Sequence, residues 1–306
     1  MQNFMNSEDP LALERIRSVL VRLEDTILFS LIERSQFAHN PRCYAKDGIP
    51  ALKEHGFDGS WLEWFLKETE TFQGSRTQAS LSPDETPFTA DLPPPIIPPP
   101  SYPKILHPHN VNVNPSILSY YVHHYIPRIT QNATLAIATA NRARGIKGER
   151  EFDDDGNYGS AATVDVELLQ AMSKRVHYGK FVSESKFRAS PSDFIPHILK
   201  PNREALEGLI VKPEVERALL ARVRKKATLY SQELDLQGEP LIIDGDVGRD
   251  GKIDKVRKGR FRVDVDAVEE LYEKFLIPLT KEVEVDYLLQ RLDGLSEDEI
   301  EALRAK

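Results

Sequence analysis

Helical periodicity dominates this chain, and signals for β-strands are almost absent. Between residues 11 and 39, apolar side chains recur at spacings of three and four. This pattern indicates an amphipathic helix of roughly 40 Å with one apolar stripe. Only LIIDGDV at 241–247 is typical of a strand. We therefore predict an all-α fold, a single-domain bundle of long helices spanning residues 1–306. The stripe comprises Leu13, Ile16, Leu20, Leu23, Ile27 and Leu31.

Capping residues mark where several other helices begin. Ser60 is followed three residues later by Glu63, and Ser296 by Glu299, which is the capping-box pattern. Asp264 is a good N-cap for the last long helix. The predicted helices after the first span 60–81, 116–130, 162–188, 202–210, 213–231, 264–291 and 296–304.

Three segments are expected to lie outside the helices. Residues 83–103 hold nine of the 21 prolines, which predicts an extended connection. Residues 144–156 are strongly charged and indicate a mobile loop. Residues 232–262 are rich in Gly, Asp, Lys and Arg and indicate an exposed insertion.

Composition excludes several classes of function. The net charge of −8 argues against a general nucleic-acid-binding protein. A single cysteine, Cys43, forms no internal disulfide and fits a reducing compartment. The first 30 residues lack a signal-peptide pattern, and no run of 18 apolar residues occurs. We therefore expect a cytoplasmic protein without a membrane partner.

Arg175 and Lys186 are the first candidate site residues. They lie eleven residues apart in the predicted helix 162–188. That spacing is about three full turns, so both cations share one face, about 16 Å apart. Buried cations need anionic partners. Those partners could be protein carboxylates or an anionic ligand, and the spacing alone leaves both open.

Two further pairs have a functional and a structural interpretation. Thr280 and Glu284 share a helix face at i and i+4. A partly buried Glu284 would have a raised pKa and could donate a proton, whereas an exposed glutamate is the commoner case. Arg17 and Glu24 lie seven residues apart on one face, which is typical of a structural or surface ion pair.

Metal sites and common nucleotide motifs are not indicated. Residues 246–254 resemble a calcium loop, but Gly248 and Arg257 occupy positions where the loop needs oxygen ligands. Residues 152–156 fail similarly. His123 and His124 face different ways on a helix and do not form a zinc site. No GxSxG, phosphate-loop or Rossmann pattern occurs.

Taken together, six blocks resemble the eukaryotic, all-helical chorismate mutases, especially the fungal allosteric type. They keep the order of that family and extend over nearly the whole chain, apart from 144–156 and 232–262. The blocks are IRSVLVRLEDTILFSLIERSQF (16–37), GSWLEW (59–64), SPDETPF (82–88), NYGSAATVDVELLQAMSKRVHYGKFVSESKF (157–187), VERALLARVRKKA (215–227) and IPLTKEVEVDYLLQRL (277–292).

The resemblance implies a homodimer of all-α subunits that converts chorismate to prephenate in aromatic amino-acid biosynthesis. It implies no cofactor, because the reaction is an intramolecular rearrangement. Two arginines would hold the substrate carboxylates, and a lysine with a protonated glutamate would donate to the ether oxygen. A second glutamate would hold the ring hydroxyl and a threonine would support a carboxylate, while Glu24 would orient the arginines. The two arginines are Arg17 and Arg175, and the lysine is Lys186. The protonated glutamate is Glu284, the second glutamate is Glu216 and the threonine is Thr280.

The resemblance also implies an effector site for tryptophan and tyrosine at the dimer interface. This chain differs from the fungal pattern at two places. Gln78-Ala79 stand where that pattern has an Arg pair, with Arg76 two residues upstream, and Lys212 stands in place of an active-site Asn. The matching effector residues are Asn157, Gly159, Ser160, Thr163 and Arg76.

Two alternatives remain at this stage. One is a chorismate mutase with an intact active site and no regulation. The other is a non-catalytic helical protein whose charged faces serve interactions, although such a chain would not need Arg17, Arg175, Lys186 and Glu284 together.

Overall fold

The computed structural model describes residues 9–76, 83–94, 96, 103–152, 155–243, 258–259 and 261–305. Within these residues the regular secondary structure is helical apart from one antiparallel pair of two-residue strands, β1 (Ile242–Ile243) and β2 (Lys258–Gly259). The predicted all-α class is confirmed. The strand pair falls in the predicted insertion, and β1 begins within the predicted strand at 241–247; residues 244–247 of that prediction lie outside the described residues.

Fourteen α-helices are found in the described part of the chain. Two short 3₁₀ helices, Pro41–Cys43 and Gly148–Phe152, join some of them. The α-helices are α1 (Leu13–Arg34), α2 (Ala51–Glu54), α3 (Trp61–Arg76), α4 (Asn114–Tyr120), α5 (Ile126–Ile129), α6 (Gln131–Ala143), α7 (Tyr158–His177), α8 (Gly179–Ala189), α9 (Pro191–Leu199), α10 (Arg203–Ile210), α11 (Pro213–Ser231), α12 (Val265–Leu271), α13 (Ile277–Leu289) and α14 (Glu297–Arg304).

Helix α1 carries the predicted apolar stripe but ends earlier than residue 39. Ile16, Leu23, Ile27 and Leu31 are buried. After Arg34 the helix stops at Ser35, whose hydroxyl lies within hydrogen-bonding distance of two carbonyls, those of Ile32 at 2.8 Å and Arg262 at 2.6 Å. A serine that bonds main-chain groups competes with continued helix formation, which periodicity does not reveal.

The predicted capping residues are confirmed at α3, α12 and α14. The Ser60 hydroxyl accepts from the Glu63 N–H at 3.2 Å, and Glu63 accepts from the Ser60 N–H at 2.7 Å. The same reciprocal pair closes the start of α14. The Asp264 carboxylate accepts from two N–H groups in the first turn of α12.

Three predicted long helices are interrupted. The predicted helix 162–188 is two helices, because Tyr178 ends α7 and α8 begins at Gly179. Wide π-turns at Tyr121–Tyr125 and Tyr272–Leu276 each lead into a helix with proline near its start. A proline has no N–H to continue an α-helical ladder, and a π-turn accommodates that loss without ending the rod.

Helices α6 and α9 were not predicted. The predicted helix 116–130 covers α4 and α5 but stops where α6 begins, and the prediction left 189–201 unassigned. Only Ala138 of α6 is buried, so this helix has little apolar stripe to recognise. Helix α9 contains Pro196, which sequence reasoning treats as a helix breaker.

Helices α1, α7, α8 and α13 form the frame that carries the site. Helix α7 packs along α1 and α3, and α8 packs along α13. The principal core includes Ile27, Val166, Met172 and Val283 from three of these helices. Burial of such apolar side chains stabilises each by about 1.5–3 kcal/mol relative to exposure.

The described parts of two predicted connections form hydrogen bonds or ion pairs with neighbouring helices. Residues 83–94 are non-helical, as predicted, and the Glu70 carboxylate of α3 accepts from the Phe88 and Thr89 N–H groups at 3.0 and 2.7 Å. Glu151 of the predicted loop 144–156 forms an ion pair with Arg142 of α6 at 2.8 Å.

None of the described helices is long and apolar enough to cross a membrane.

Candidate active site

One cavity of about 200 Å³ brings the six predicted catalytic residues together. They come from five helices that are far apart in the chain: α1, α7, α8, α11 and α13. The cavity walls also include apolar side chains such as Leu20, Val182 and Leu219. The six are Arg17, Arg175, Lys186, Glu216, Thr280 and Glu284.

Glu284 lies on α13 where that helix is closest to α8. Only 8% of its surface is exposed. Gly179 permits the approach, because a Cβ there would lie 2.9 Å from the Glu284 Cγ and 3.1 Å from the Thr280 carbonyl oxygen. One turn along α8, the Ser183 hydroxyl donates to the Glu284 carbonyl at 3.0 Å. The backbone therefore fixes the depth at which this carboxyl enters the cavity.

Burial raises the pKa of Glu284 to about 7. The cations Lys186 and Arg175 oppose the shift and favour the ionised form, while Glu216 adds to it. The desolvation of a carboxylate exceeds these attractions, so a substantial fraction of Glu284 is protonated at neutral pH. The structure favours the buried, proton-donating interpretation over an exposed glutamate.

Arg175 and Lys186 both face this cavity, although they belong to two helices rather than one. Arg175 is 4% exposed, and its Nε has no hydrogen-bond partner within the described part of the chain. The Lys186 ammonium donates to the Ile210 carbonyl, and its pKa is lowered, chiefly by burial. A buried guanidinium with an unused donor indicates that an anion completes the site.

The remaining residues surround this centre. Glu216 lies 2.9 Å from the Lys281 ammonium, so a cation holds its carboxylate in the cavity wall. The Thr280 hydroxyl donates to the Leu276 carbonyl at 2.6 Å. Arg17 is exposed and lies at the rim.

The interpretation of Arg17 and Glu24 as an ion pair is wrong. Glu24 is buried and accepts from Arg222 at 2.7 and 2.9 Å and from Lys226 at 3.2 Å. Seven helical residues separate side chains by about 10 Å along the axis, which is too far for direct contact. Both cations come from α11, so Glu24 ties α1 to the helix that carries Glu216.

The predicted effector residues are divided between two places. Asn157 precedes α7, and Gly159, Ser160 and Thr163 are exposed in its first turns, where the Thr163 hydroxyl donates to the Gly159 carbonyl at 2.9 Å. Arg76 is the last residue of α3.

Helices α3 and α7 run side by side in the same direction. The Trp61 indole donates to the Tyr158 carbonyl, and Gln73 bonds Gln170, twelve residues further along both helices. Arg76 therefore lies about 20 Å along the helices from the start of α7. Within one chain the structure does not bring Arg76 to the other four residues. The prediction for Gln78-Ala79 lies outside the described residues.

Three contributors to the cavity were missed from sequence. Lys281 pairs with Glu216, Gly179 allows the close approach of two helices, and the Ile210 carbonyl holds Lys186. The adjacency of Lys281 to Thr280 is a signal for the first. The other two depend on which helices meet, which no local pattern contains.

The fold and the cavity have the features of a helical enzyme class, with a cavity lined by two arginines, a lysine and a buried glutamate. The family Chorismate mutase type II matches residues 157–285. A chorismate mutase of Emericella nidulans is 40% identical over 285 residues, covering 93% of this chain and 94% of the relative. Chorismate mutase 1, chloroplastic, of Zea mays is 38% identical, covering 92% and 80%. The chain belongs to the chorismate mutase family, so the isomerase predicted from sequence is confirmed.

Solved structures agree with this assignment. The Aro7p chorismate mutase of Candida albicans, in complex with L-Trp, superposes with a TM-score of 0.79 at 36% identity, covering 98% of this chain and 99% of that one. AtCM1 with tyrosine in its allosteric site gives 0.70 at 37% identity, covering 94% and 99%. The predicted all-helical architecture of the family is thereby confirmed over nearly the full chain.

Proposed function

We propose that the protein converts chorismate to prephenate in the cavity lined by Arg175, Lys186 and Glu284. The observation that carries this proposal is the meeting of all six predicted residues in one cavity. The buried Arg175 supplies an unused donor, and Glu284, with a pKa of about 7, carries less than a full negative charge near neutral pH, which suits a dicarboxylate ligand. A non-catalytic interaction protein has no need of such a cavity.

Arg17 and Arg175 act first, by holding the two carboxylates of the substrate. Arginine forks bind carboxylates in fixed geometry, which keeps the flexible substrate in the compact shape that reacts. Thr280 supports one carboxylate. Glu216, held by Lys281, accepts a hydrogen bond from the ring hydroxyl. These contacts convert a rare conformer into the bound one.

Lys186 and Glu284 act on the breaking bond. As the C–O bond of the ether breaks and the new C–C bond forms, negative charge develops on the ether oxygen. The Lys186 ammonium and the protonated Glu284 carboxyl donate to that oxygen more strongly in the transition state than in the ground state. The rearrangement is intramolecular, so atoms and electrons balance without a co-reactant.

The direct test is the loss of chorismate with purified protein, measured by absorbance. Conversion to prephenate at a rate that Lys186→Ala abolishes supports the proposal. A protein that binds chorismate but leaves it unchanged, or whose Lys186→Ala variant matches the wild type, contradicts it.

We further propose a homodimer of single-domain subunits that pairs through α3 and α7. Helix α3 carries Trp61, Trp64 and Phe65, which are only partly buried, and Phe72, which is 57% exposed. Large aromatic side chains gathered on one exposed helix are typical of subunit interfaces. A two-fold axis beside parallel helices would also bring Arg76 of one subunit towards the α7 start of the other. Light scattering at micromolar concentration distinguishes about 69 kDa from the 34.7 kDa monomer.

Tryptophan activation and tyrosine inhibition are proposed at the start of α7. The Candida albicans and AtCM1 structures are complexes with tryptophan and tyrosine, the latter in an allosteric site. The exposed turn at Gly159 and Ser160 opens a helix N-terminus, which favours the carboxylate of an amino acid. An unregulated enzyme is the alternative.

Gly159 offers a sharp test of the effector site. A Cβ at this position meets nothing within 4 Å, so substitutions leave the fold intact. Gly159→Asp places a negative charge against the effector carboxylate and should abolish the response of the rate to both amino acids. Gly159→Ala is the matched control. A wild-type enzyme indifferent to both effectors would establish the unregulated alternative.

A cytoplasmic location is proposed from the single cysteine, Cys43, which is buried and unbridged, as expected in a reducing compartment. Plastid relatives exist, as the name of the Zea mays enzyme indicates. Imaging of the native protein by immunofluorescence decides between cytosol and organelle.

A further inference from the structure

Lys212 lines the cavity, and its side chain does not cap the helix that it precedes. It is the N-cap of α11, with φ −128° and ψ 100°, and its side chain makes no capping hydrogen bond. N-caps favour short oxygen-bearing side chains, and the positive end of the helix dipole disfavours a cation. The Lys212 carbonyl accepts from Val215 N–H at 2.9 Å, so the main chain starts the helix without help from the ammonium.

The charges around the cavity do not balance. Lys281 is matched by Glu216 at 2.9 Å. Glu284 carries less than one full charge near neutral pH, because its pKa is about 7. The total positive charge of the other cationic side chains that line the cavity therefore exceeds the negative charge present there. These cations are Arg17, Arg175, Lys186 and Lys212.

Lys212 is also close enough to act on the centre of the site. The pKa of Lys186 is lowered first by burial, and Lys212 and Arg17 lower it further, while Glu284 raises it. Like charges that repel in the empty cavity are relieved when an anion enters between them. Lys212 is exposed, so its flexible stem can reach an anion at the mouth while remaining solvated.

We propose that Lys212 is a specificity-determining residue, whose ammonium pairs with a carboxylate of the bound substrate at the cavity mouth and makes the site prefer dianions to monoanions. This inference rests on the proposed function of the same cavity. The contact forms on binding and is unchanged in the transition state, so it affects KM rather than kcat.

The test uses Lys212→Gln, which keeps the stem and removes the charge, and Lys212→Arg, which keeps the charge. Lys225→Gln is the matched control, because Lys225 is exposed on the same helix about 20 Å further along and does not line the cavity. At low salt, Lys212→Gln should raise KM for chorismate about three- to fivefold, as for one exposed ion pair, with kcat within about twofold. Lys212→Arg and Lys225→Gln should match the wild type.

The dependence of KM on salt concentration provides an independent test. Near 1 M ionic strength the Debye length is about 3 Å, so the difference in KM between wild type and Lys212→Gln should close. A KM unchanged by Lys212→Gln at low salt overturns the proposal. So does an equal change in Lys225→Gln, or a loss in kcat with KM constant.

Binding of two small carboxylate probes, measured by calorimetry, separates this inference from the proposed reaction. Isophthalate is a dianion, and 3-carbamoylbenzoate has nearly the same shape with one charge fewer. Lys212→Gln should weaken isophthalate binding about three- to fivefold and leave 3-carbamoylbenzoate nearly unchanged. Calorimetry gives both constants even if the protein fails to convert chorismate, so failure of the activity and failure of the Lys212 contact remain distinguishable. Equal weakening of both ligands overturns the proposal.

Discussion

The two ends of the antiparallel pair α1 and α7 treat buried charge in opposite ways. At one end, Arg34 donates to Asp165 at 2.6 Å, to Tyr44 at 2.7 Å and to the Phe37 carbonyl at 3.0 Å. Asp165 also accepts from Tyr44 at 2.7 Å and from Tyr121 at 2.6 Å. Both charged groups in this network, Arg34 and Asp165, have hydrogen-bond partners within the protein.

At the other end, about 25 Å along α1, the cations of the same two helices line the cavity. Arg17 lies at the rim, and Arg175 is buried with an unused Nε donor within the described residues. Burial of an arginine therefore does not by itself mark a site. The mark is a buried arginine whose donors the protein leaves partly unmatched.

Disruption of the Arg34–Asp165 network should have the largest effect, which is a loss of folding stability. Asp165→Ala removes the partner of a fully buried arginine and should lower the free energy of unfolding by about 3–5 kcal/mol. Chemical denaturation measures it, with Glu167→Ala as the exposed control on α7. The folded fraction should keep its kcat. A stable Asp165→Ala protein with poor kcat would reverse the assignment of the two ends.

Breaking the unmatched end should act on the rate. Lys186→Ala should lose on the order of 3 kcal/mol of transition-state stabilisation, more than a hundredfold in kcat. Removal of a like-charged neighbour should leave the melting temperature unchanged or higher. Lys200→Ala, exposed at the end of α9, is the control in the same kinetic assay. Equal kcat in Lys186→Ala and wild type would exclude the lysine from the chemistry.

The Glu284 carboxyl makes the free energy of unfolding depend on pH. Its pKa is about 7 in the folded state against 4.5 when exposed. Below pH 4.5 both states hold the proton, whereas above 7 the folded state bears a buried charge. Glu284→Gln should therefore exceed wild type in unfolding free energy by up to about 3 kcal/mol at pH 8 and by little at pH 4. Denaturation at the two pH values measures it, and a constant difference would contradict the shift.

The same group sets the pH dependence of the reaction. Ionisation of Glu284 removes a donor and adds a repelling charge, so kcat/KM should fall as pH rises through about 7, approaching tenfold per unit above it. Glu284→Gln keeps a donor and should flatten the profile. Glu282→Gln, exposed on the same helix, should retain the wild-type curve. Parallel curves for Glu284→Gln and wild type would remove the proton-donor role.

Thr280 should give the smallest effect. Its hydroxyl already donates to Leu276, so supporting a substrate carboxylate costs that bond. Thr280→Val should lower kcat/KM about fivefold, or about 1 kcal/mol. Thr139→Val removes the same type of i−4 hydrogen bond on exposed α6 and serves as control. A drop as large as that of Lys186→Ala would make Thr280 a principal donor.

Local physics explains which parts of the fold were predictable. The stripe of α1, the capping boxes at Ser60 and Ser296 and the N-cap Asp264 depend on neighbours within one turn, so a pattern reveals them. The π-turns before Pro127 and Pro278 and the break at Tyr178 depend on packing against other helices. The polar helix α6 has too small an apolar face to be recognised.

Sequence patterns were sufficient for the helical class, the family resemblance and the prediction of six side chains that line the cavity. It could not determine that Glu24 would bond α11 rather than Arg17, because two turns of helix separate residues that share a face. The close approach of Glu284 to Gly179 and the ion pair between Lys281 and Glu216 depend on contacts between helices that are distant in the chain. Helix contacts between distant segments set these distances. The pKa of Glu284 follows from them, since desolvation depends on what surrounds a carboxyl rather than on its neighbours in the chain.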